Sequence, residues 1–205
     1  MQSIGLFARY PTPGRVKTRL AASVGNDEAA AVYKECAELS VAAAREAINV
    51  KRYVFCSDGD DISLMTEWIG PGFEYLAQDG IDLAGRLDSA LAFMFSDGAD
   101  KAIVASTDTP DLSADIINKA LEALAAKDIV IGPARDGGYY LIGMKQRRPE
   151  LFQNAVMGTD TVRREAEQRA AAHNLSVAVL GELHDIDTIA DLEAWRKRGR
   201  DERVL

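Results

Sequence analysis

The sequence predicts an α/β fold, a three-layer sandwich around a mainly parallel mixed sheet. Three observations carry that expectation. Short apolar runs alternate with segments of helical period along the whole chain. The clearest runs, at 3–8 and 102–106, show no polar alternation, as strands covered on both faces do. At 205 residues, 47% hydrophobic and 27% charged, the chain can bury a core and is not disordered, collagen-like or coiled-coil in composition. Repeats, low-complexity tracts and Pro/Gly/Ser-rich linkers are absent, so residues 1–205 are expected to form one domain.

Residues 3–8 are the first expected strand. Val32, Cys36, Leu39 and Ala43 recur at helical spacing and predict a long helix over 26–49, with Asn26 as its N-cap. A strand follows at 52–57, then a short helix at 62–69 stopped by Gly70-Pro71-Gly72. Residues 73–77 read as a third strand. Residues 83–95 read as a helix with Leu83, Leu87, Ala90, Leu91 and Met94 on one side. After the strand at 102–106, Ser113 is placed to cap a helix with Ile116, Ile117, Ala120, Leu121 and Leu124 inward. Strands at 129–132 and 139–144 flank a glycine-rich turn. A helix at 159–173, a strand at 176–180 and a helix at 188–198 complete the pattern.

Net charge is −8, but it is unevenly placed. Arg9, Arg15, Lys17 and Arg19 all precede the first acidic residue, Asp27. An acidic body argues against nucleic acid and anionic membranes as partners, whereas a compact basic loop on it suits a small phosphorylated metabolite. No apolar stretch approaches the roughly 20 residues of a membrane span, and the N-terminus lacks the form of a signal peptide. A cytoplasmic location is the expectation. Cys36 and Cys56 lack CxxC spacing and, with only His173 and His184, give no zinc pattern. Both thiols are expected reduced, in or near the core.

In a parallel sheet the ligand crevice lies beyond the carboxyl ends of the strands, beside a topological switch point. Four segments after strands therefore carry the candidate chemistry. The first, Arg9 to Arg19, holds Pro11, Pro13 and Gly14 with Arg15, Lys17 and Arg19. It matches neither a P-loop nor a GxGxxG fingerprint. Its cations and the amides near Gly14 suit di- or triphosphate oxygens, although charge runs usually face water. The second is Ser106-Thr107-Asp108-Thr109-Pro110-Asp111, where Pro110 holds Thr109 extended and so aims Asp108. A carboxylate there suits Mg²⁺, which takes one or two protein carboxylates plus phosphate oxygens and water. The third, Gly132 to Tyr140, contains Asp136-Gly137-Gly138, which is a hairpin signal and equally a place for close approach of a sugar or base. The fourth is His184-Asp185-Ile186-Asp187-Thr188. Thr188 and Asp191 account for a helix start but not for Asp185 and Asp187, one of which is expected to complete a metal site with Asp108.

Phe-x-Arg-x-Pro-x-Pro-Gly-x-x-Lys-Thr-Arg-Leu at 7–20, Asp-x-Pro-x-Leu at 108–112, Gly-Pro-x-x-Asp-Gly-Gly-Tyr-Tyr-Leu at 132–141 and Asp-Ile-Asp-Thr at 185–188 together resemble the DUF2064 family. These are small bacterial proteins of the nucleotide-diphospho-sugar transferase superfamily. The resemblance implies a Rossmann-like type-A glycosyltransferase fold. It implies that Arg9, Gly14, Arg15, Lys17 and Arg19 cradle nucleotide phosphates. Asp108 would hold Mg²⁺ or Mn²⁺, with Asp187 or Asp185 as its second ligand. Asp136, Gly137, Gly138 and Tyr139 would face the sugar or acceptor. Two positions depart from the family pattern. Met157 stands where an aromatic precedes Gly158-Thr159-Asp160, and Thr107-Asp108-Thr109 carries one acid where Asp-x-Asp is usual.

The expected activity is a metal-dependent transferase, a glycosyltransferase using a nucleotide sugar and a small-molecule acceptor. The alternative is a nucleotidylyltransferase that joins an NTP to a phosphorylated metabolite and releases pyrophosphate; the cation count of the first loop favours it. A third reading is a regulator that binds nucleotide without turnover; the intact Asp108 and Asp187 count against it. Asp108, Lys17 and Asp136 are the candidate catalytic residues, and Asp136 and Asp185 are the two candidates for a general base.

Overall fold

Strands and helices alternate through residues 1–201, the part of the chain that this computed structural model describes. The strands are β1 (Gln2–Ala8), β2 (Val50–Cys56), β3 (Glu74–Ala77), β4 (Lys101–Ser106), β5 (Ile129–Pro133), β6 (Tyr139–Met144) and β7 (Val177–Val179). The helices are α1 (Thr18–Val24), α2 (Asn26–Glu46), α3 (Ile62–Ile69), α4 (Leu83–Ser96), α5 (Ala114–Ala123), α6 (Val162–Ala172) and α7 (Ile189–Asp201). One sheet holds the strands in the order β3-β2-β1-β4-β6-β5-β7. Within it β6 runs antiparallel to β4 and β5, and the remaining pairs are parallel. The mainly parallel mixed sheet is therefore as the sequence predicts.

Both faces of the sheet are covered, which explains the unbroken apolar runs. Ile4, Leu6, Val54, Ile103 and Leu141 pack under α2, α3 and α5, through Val41, Met65, Ile117 and Leu121. Tyr53, Phe55, Val104, Ile131 and Ile142 pack on the other side under α4 and α6, through Leu87, Leu91, Met94, Ala166 and Ala170. No helix among the described residues is long and apolar enough to cross a membrane. Cys36 and Cys56 are buried free thiols, as expected, and burial pushes both up to about 12. Tyr140 and Met144 are buried core residues.

The order of strands places the switch point between β1 and β4. From β1 the chain winds outward through β2 to β3, and it returns to the other side of β1 as β4. The segments leaving these two strands diverge, opening a crevice at their carboxyl ends.

Several local expectations are corrected. Asn26 is not the N-cap of α2; Gly25 occupies that position and no side chain caps the helix. Leu39 is 41% exposed, because the buried stripe of α2 runs through small residues such as Ala37, Ser40 and Ala44 that let the helix lie close to its neighbours. Leu83 lies at the exposed start of α4. The helix expected from 159 starts at Val162, since residues 158–161 form turns in which the Asp160 backbone packs on Gly137. Ser113 caps α5 as predicted, its Oγ accepting from the amide of Ile116.

Candidate functional site

A cavity of about 600 Å³ opens at the switch point and extends over the sheet between α4 and α6. Phe7, Val104 and Ile142, from β1, β4 and β6, form an apolar floor. Leu87 of α4 stands on one side and Val162 of α6 on the other. The polar border combines Arg15 and Lys17, Asp108, Asp136 and Asp185, all from segments that follow strands. Sequence position alone had singled out each of these five.

The loop after β1 is stiff, and most of its cations already have partners. Thr12-Pro13-Gly14-Arg15 closes as a turn through Arg15 N–H to Thr12 O at 3.0 Å, with Gly14 at φ 79. Proline second and a positive-φ glycine third are the requirements of a type II turn. Gly14 therefore serves the turn and does not border the cavity, contrary to its expected place in a phosphate cradle. Arg9 lies along the loop as a strut. Its Nε and Nη2 donate to Ser57 Oγ at 3.2 and 2.9 Å, and its Nη1 donates to the Arg15 carbonyl at 3.0 Å. Arg15 leans toward Asp60, 3.9 Å away, and keeps a half-exposed guanidinium at the border. Arg19 is solvent-exposed, pairs with Asp187 at 3.6 Å and lies outside the cavity lining.

Lys17 is different. Its ammonium lies 3.0 Å from Asp108 Oδ1 and 3.2 Å from Asp187 Oδ1, with a side chain only 3% exposed. Burial disfavours the ammonium, yet the two carboxylates outweigh that effect and hold its pKa above the ordinary lysine range. The backbone at Lys17 is left-handed, φ 46 and ψ 46, at the start of α1. The other positive-φ residues besides glycine among the described residues are Asn49, Asn154 and Asn174. Asparagine tolerates this region, whereas a lysine there is uncommon and is held by its surroundings.

The same geometry tests the expected metal. Asp108 and Asp187 both reach one point, the position of the Lys17 Nζ, so the pair is able to share a cation. Among the described residues no group of three His, Cys, Asp or Glu side chains gathers for a metal by itself. Two carboxylates fit Mg²⁺ or Mn²⁺ when substrate phosphates and water supply the remaining oxygens. Asp185 is directed elsewhere. It accepts a hydrogen bond from Thr109 Oγ1 at 2.6 Å, and burial foremost, with Asp108 and Asp136 nearby, raises it to about 6. Between the two partners considered for Asp108, Asp187 is the one that converges with it.

On the opposite wall, Asp136 accepts from the amide of Gly138 at 2.9 Å and stays exposed at the border. Gly138 and Tyr139 also line the cavity. Gly137 does not. A Cβ at this residue would lie 2.1 Å from the carbonyl oxygen of Asp160, so the missing side chain makes room for the backbone of Asp160 and not for a ligand. Among the described residues the Tyr139 hydroxyl has one hydrogen-bond partner, Met157 Sδ at 3.9 Å, and burial raises its pKa.

Besides the apolar walls of α4 and α6, further contributions come from beyond the four segments. Tyr33 of α2 bonds both the loop after β1 and Thr107. Ser57, after β2, anchors Arg9. Gln78, from the loop after β3, and Arg86, from the first turns of α4, line the cavity. Gly80, at φ 141, packs on the Arg86 amide, Arg86 Nε donates to Gly80 O at 3.1 Å, and Asp82 caps α4 by accepting from Gly85 N–H. The strand-end rule would have found the last of these, since Gln78-Asp79-Gly80 directly follows a predicted strand.

Sheet order and strand-end cavity define a Rossmann-like fold of the nucleotidyltransferase and nucleotide-diphospho-sugar transferase kind. The model of DUF2064, uncharacterized proteins conserved in bacteria, matches residues 40–159. The chain belongs to the DUF2064 family. A Desulfovibrio desulfuricans G20 protein, provisionally assigned as a nucleotide-diphospho-sugar transferase, is 34% identical with a TM-score of 0.89 over 93% of this chain and 84% of its own. A nucleotidyl transferase of Methanothermobacter shares the fold at 17% identity and a TM-score of 0.64, covering 100% of this chain and 99% of its own. Rv0371c of Mycobacterium tuberculosis H37Rv, solved with manganese, shares it at 14% identity and 0.57, covering 95% and 97%. Among curated proteins none matches the sequence.

Proposed function

We propose that this protein is a metal-dependent glycosyltransferase that takes a nucleotide-diphospho-sugar as donor. The observation that carries the reading is the Lys17 ammonium set between Asp108 and Asp187 at the border of a cavity large enough for a nucleotide. The diphosphate lies against Arg15 and Lys17, with the nucleoside toward Gln78 and Arg86. The sugar and acceptor lie toward Asp136, Gly138 and Tyr139. The provisional assignment of the Desulfovibrio relative supports the same donor class.

The donor is a diphosphate for a reason of charge. The loop carries four cations; Arg19 lies outside the cavity, and Arg9 lines it but gives hydrogen bonds from Nε, Nη1 and Nη2 to Ser57 and the Arg15 carbonyl. Arg15 and Lys17 remain as the loop cations facing a bound phosphate, and their two charges match the diphosphate of a nucleotide sugar. In the reaction an acceptor oxygen bonds to the anomeric carbon as the bond from that carbon to the diphosphate breaks. The acceptor proton passes to a carboxylate on that side, Asp136 or Asp185. Arg15 and Lys17 stabilise the negative charge on the departing nucleoside diphosphate. Mg²⁺ or Mn²⁺ held by Asp108 and Asp187 would add charge neutralisation there.

A thermal-shift panel of nucleotide sugars and nucleoside triphosphates, each with and without Mn²⁺, tests the donor class. Ligand binding to the native state raises the melting temperature according to concentration over affinity. A Mn²⁺-dependent rise with a nucleotide sugar is expected. A rise confined to a triphosphate contradicts the reading and points to nucleotidyl transfer.

A further inference from the structure

We infer that Lys17 is a resident counter-ion, holding the Asp108 and Asp187 carboxylates until a substrate phosphate draws it away, so that a divalent cation binds the pair tightly only together with phosphate. This rests on the metal reading of those two aspartates given above.

The contacts set up a direct competition. Lys17 meets Asp108 and Asp187 through the Oδ1 of each, at 3.0 and 3.2 Å. A divalent ion bridging the pair needs inner-sphere contact with these carboxylates, at about 2.0–2.1 Å for Mg²⁺. The ion and the ammonium would then stand within a few ångströms of each other, and two cations that close repel strongly away from bulk water. The ammonium is the buried partner, its side chain 3% exposed against 46% for Asp108 and 38% for Asp187. Both carboxylates thus stay partly open to an incoming ion; Lys17 holds the position they share through Oδ1, while Arg19 meets Asp187 on its other oxygen.

The surroundings let the side chain leave without moving the backbone. Val16, immediately before Lys17, is buried against Ala30, Tyr33 and Ala37, and α1 begins immediately after it. Lys17 itself lines the cavity, so its flexible four-carbon stem has open space in which to turn. The diphosphate of a nucleotide sugar carries two negative charges, one on each phosphate, so the ammonium meets there as much opposing charge as on the two carboxylates, on oxygens that accept charge-assisted hydrogen bonds. Once the lysine has transferred, Asp108 is without its ion-pair partner and Asp187 keeps only the exposed Arg19, 3.6 Å from its Oδ2, and the metal supplies the missing charge. Metal and phosphate then favour each other's binding by the same factor, as linkage requires.

The test is Mn²⁺ binding to the full chain without nucleotide, followed by the paramagnetic resonance signal of free Mn²⁺. Lys17→Met keeps the apolar stem and removes the charge. Lys17→Asn suits the left-handed backbone and is too short to reach the carboxylates. Melting curves establish that each variant is folded. Both variants are expected to bind Mn²⁺ about tenfold more tightly than the wild type, within the usual range of site coupling. Adding Asp108→Asn to either variant abolishes the gain. Equal affinity in wild type and both variants, still lost on Asp108→Asn, overturns the inference and leaves the metal site standing. If no form binds Mn²⁺ through Asp108, the inference and the metal reading fall together.

Discussion

The hydroxyls of Tyr33 and Thr107 meet at 3.0 Å, joining α2 to the end of β4 across 74 residues of sequence. Thr107 has one proton and donates it to the Phe7 carbonyl, so Tyr33 must be the donor to Thr107. The Tyr33 oxygen in turn accepts the Arg9 amide at 2.8 Å. The two loops bordering the cavity, after β1 and after β4, are tied through one buried phenol.

Tyr33→Phe removes that link and leaves the Arg9 amide and the Thr107 oxygen each short of a partner. A loss of about 1–3 kcal/mol is expected, the range for an unsatisfied buried polar group. Urea unfolding measures it. An unchanged midpoint would mean that water replaces the phenol.

Gly137 and Gly98 allow a controlled comparison. Both have positive φ, 91 and 92, but a Cβ at Gly98 meets nothing within 4 Å, while one at Gly137 meets the Asp160 backbone at 2.1 Å. Gly98→Ala should lose about 1–2 kcal/mol from backbone conformation alone. Gly137→Ala should lose more, because overpacking adds about 1–3 kcal/mol and displaces 158–160 from the cavity wall. Thermal melts of the two variants check the order.

Asp185 makes stability depend on pH. Its carboxyl is raised to about 6 in the fold, above its unfolded value, so between these values the native state binds the extra proton. Its contribution is fully present below about pH 4, the unfolded pKa, and is lost as pH rises through about 6. Asp185→Asn still accepts from Thr109 but does not ionise. In metal-free protein the variant should gain stability over wild type at pH 7.5 relative to pH 4, by on the order of 2 kcal/mol. A difference that stays constant across that range would show that Asp185 is not raised.

Much of this was legible from residues in order. β1 and β4 are apolar without interruption because helices cover both sides, and Pro110 marks the turn that presents Asp108. The family motifs matched that frame. What was hidden depends on distant partners. Lys17 finds Asp187 across 170 residues, and Arg9 finds Ser57 across 48, so a loop that looks like four free cations is largely paired. α1 was not anticipated; it is seven residues long, has no side-chain cap, and is held by packing of Leu20 with Ile186 and Leu192. The glycines of 132–141 looked alike in sequence, yet Gly137 serves the backbone of Asp160 and Gly138 borders the cavity.

The most direct measurement is phosphorus NMR of the products formed from the nucleotide sugar that the thermal-shift panel selects, with Mn²⁺ removed before the spectrum is taken. Wild-type protein should release nucleoside diphosphate, and Asp108→Asn should release at least a hundredfold less, in line with losing a charge-stabilising group at the reaction centre, while melting within a few degrees of wild type. Release of nucleoside diphosphate at the wild-type rate by Asp108→Asn, or pyrophosphate from a triphosphate as the product instead, would contradict the account.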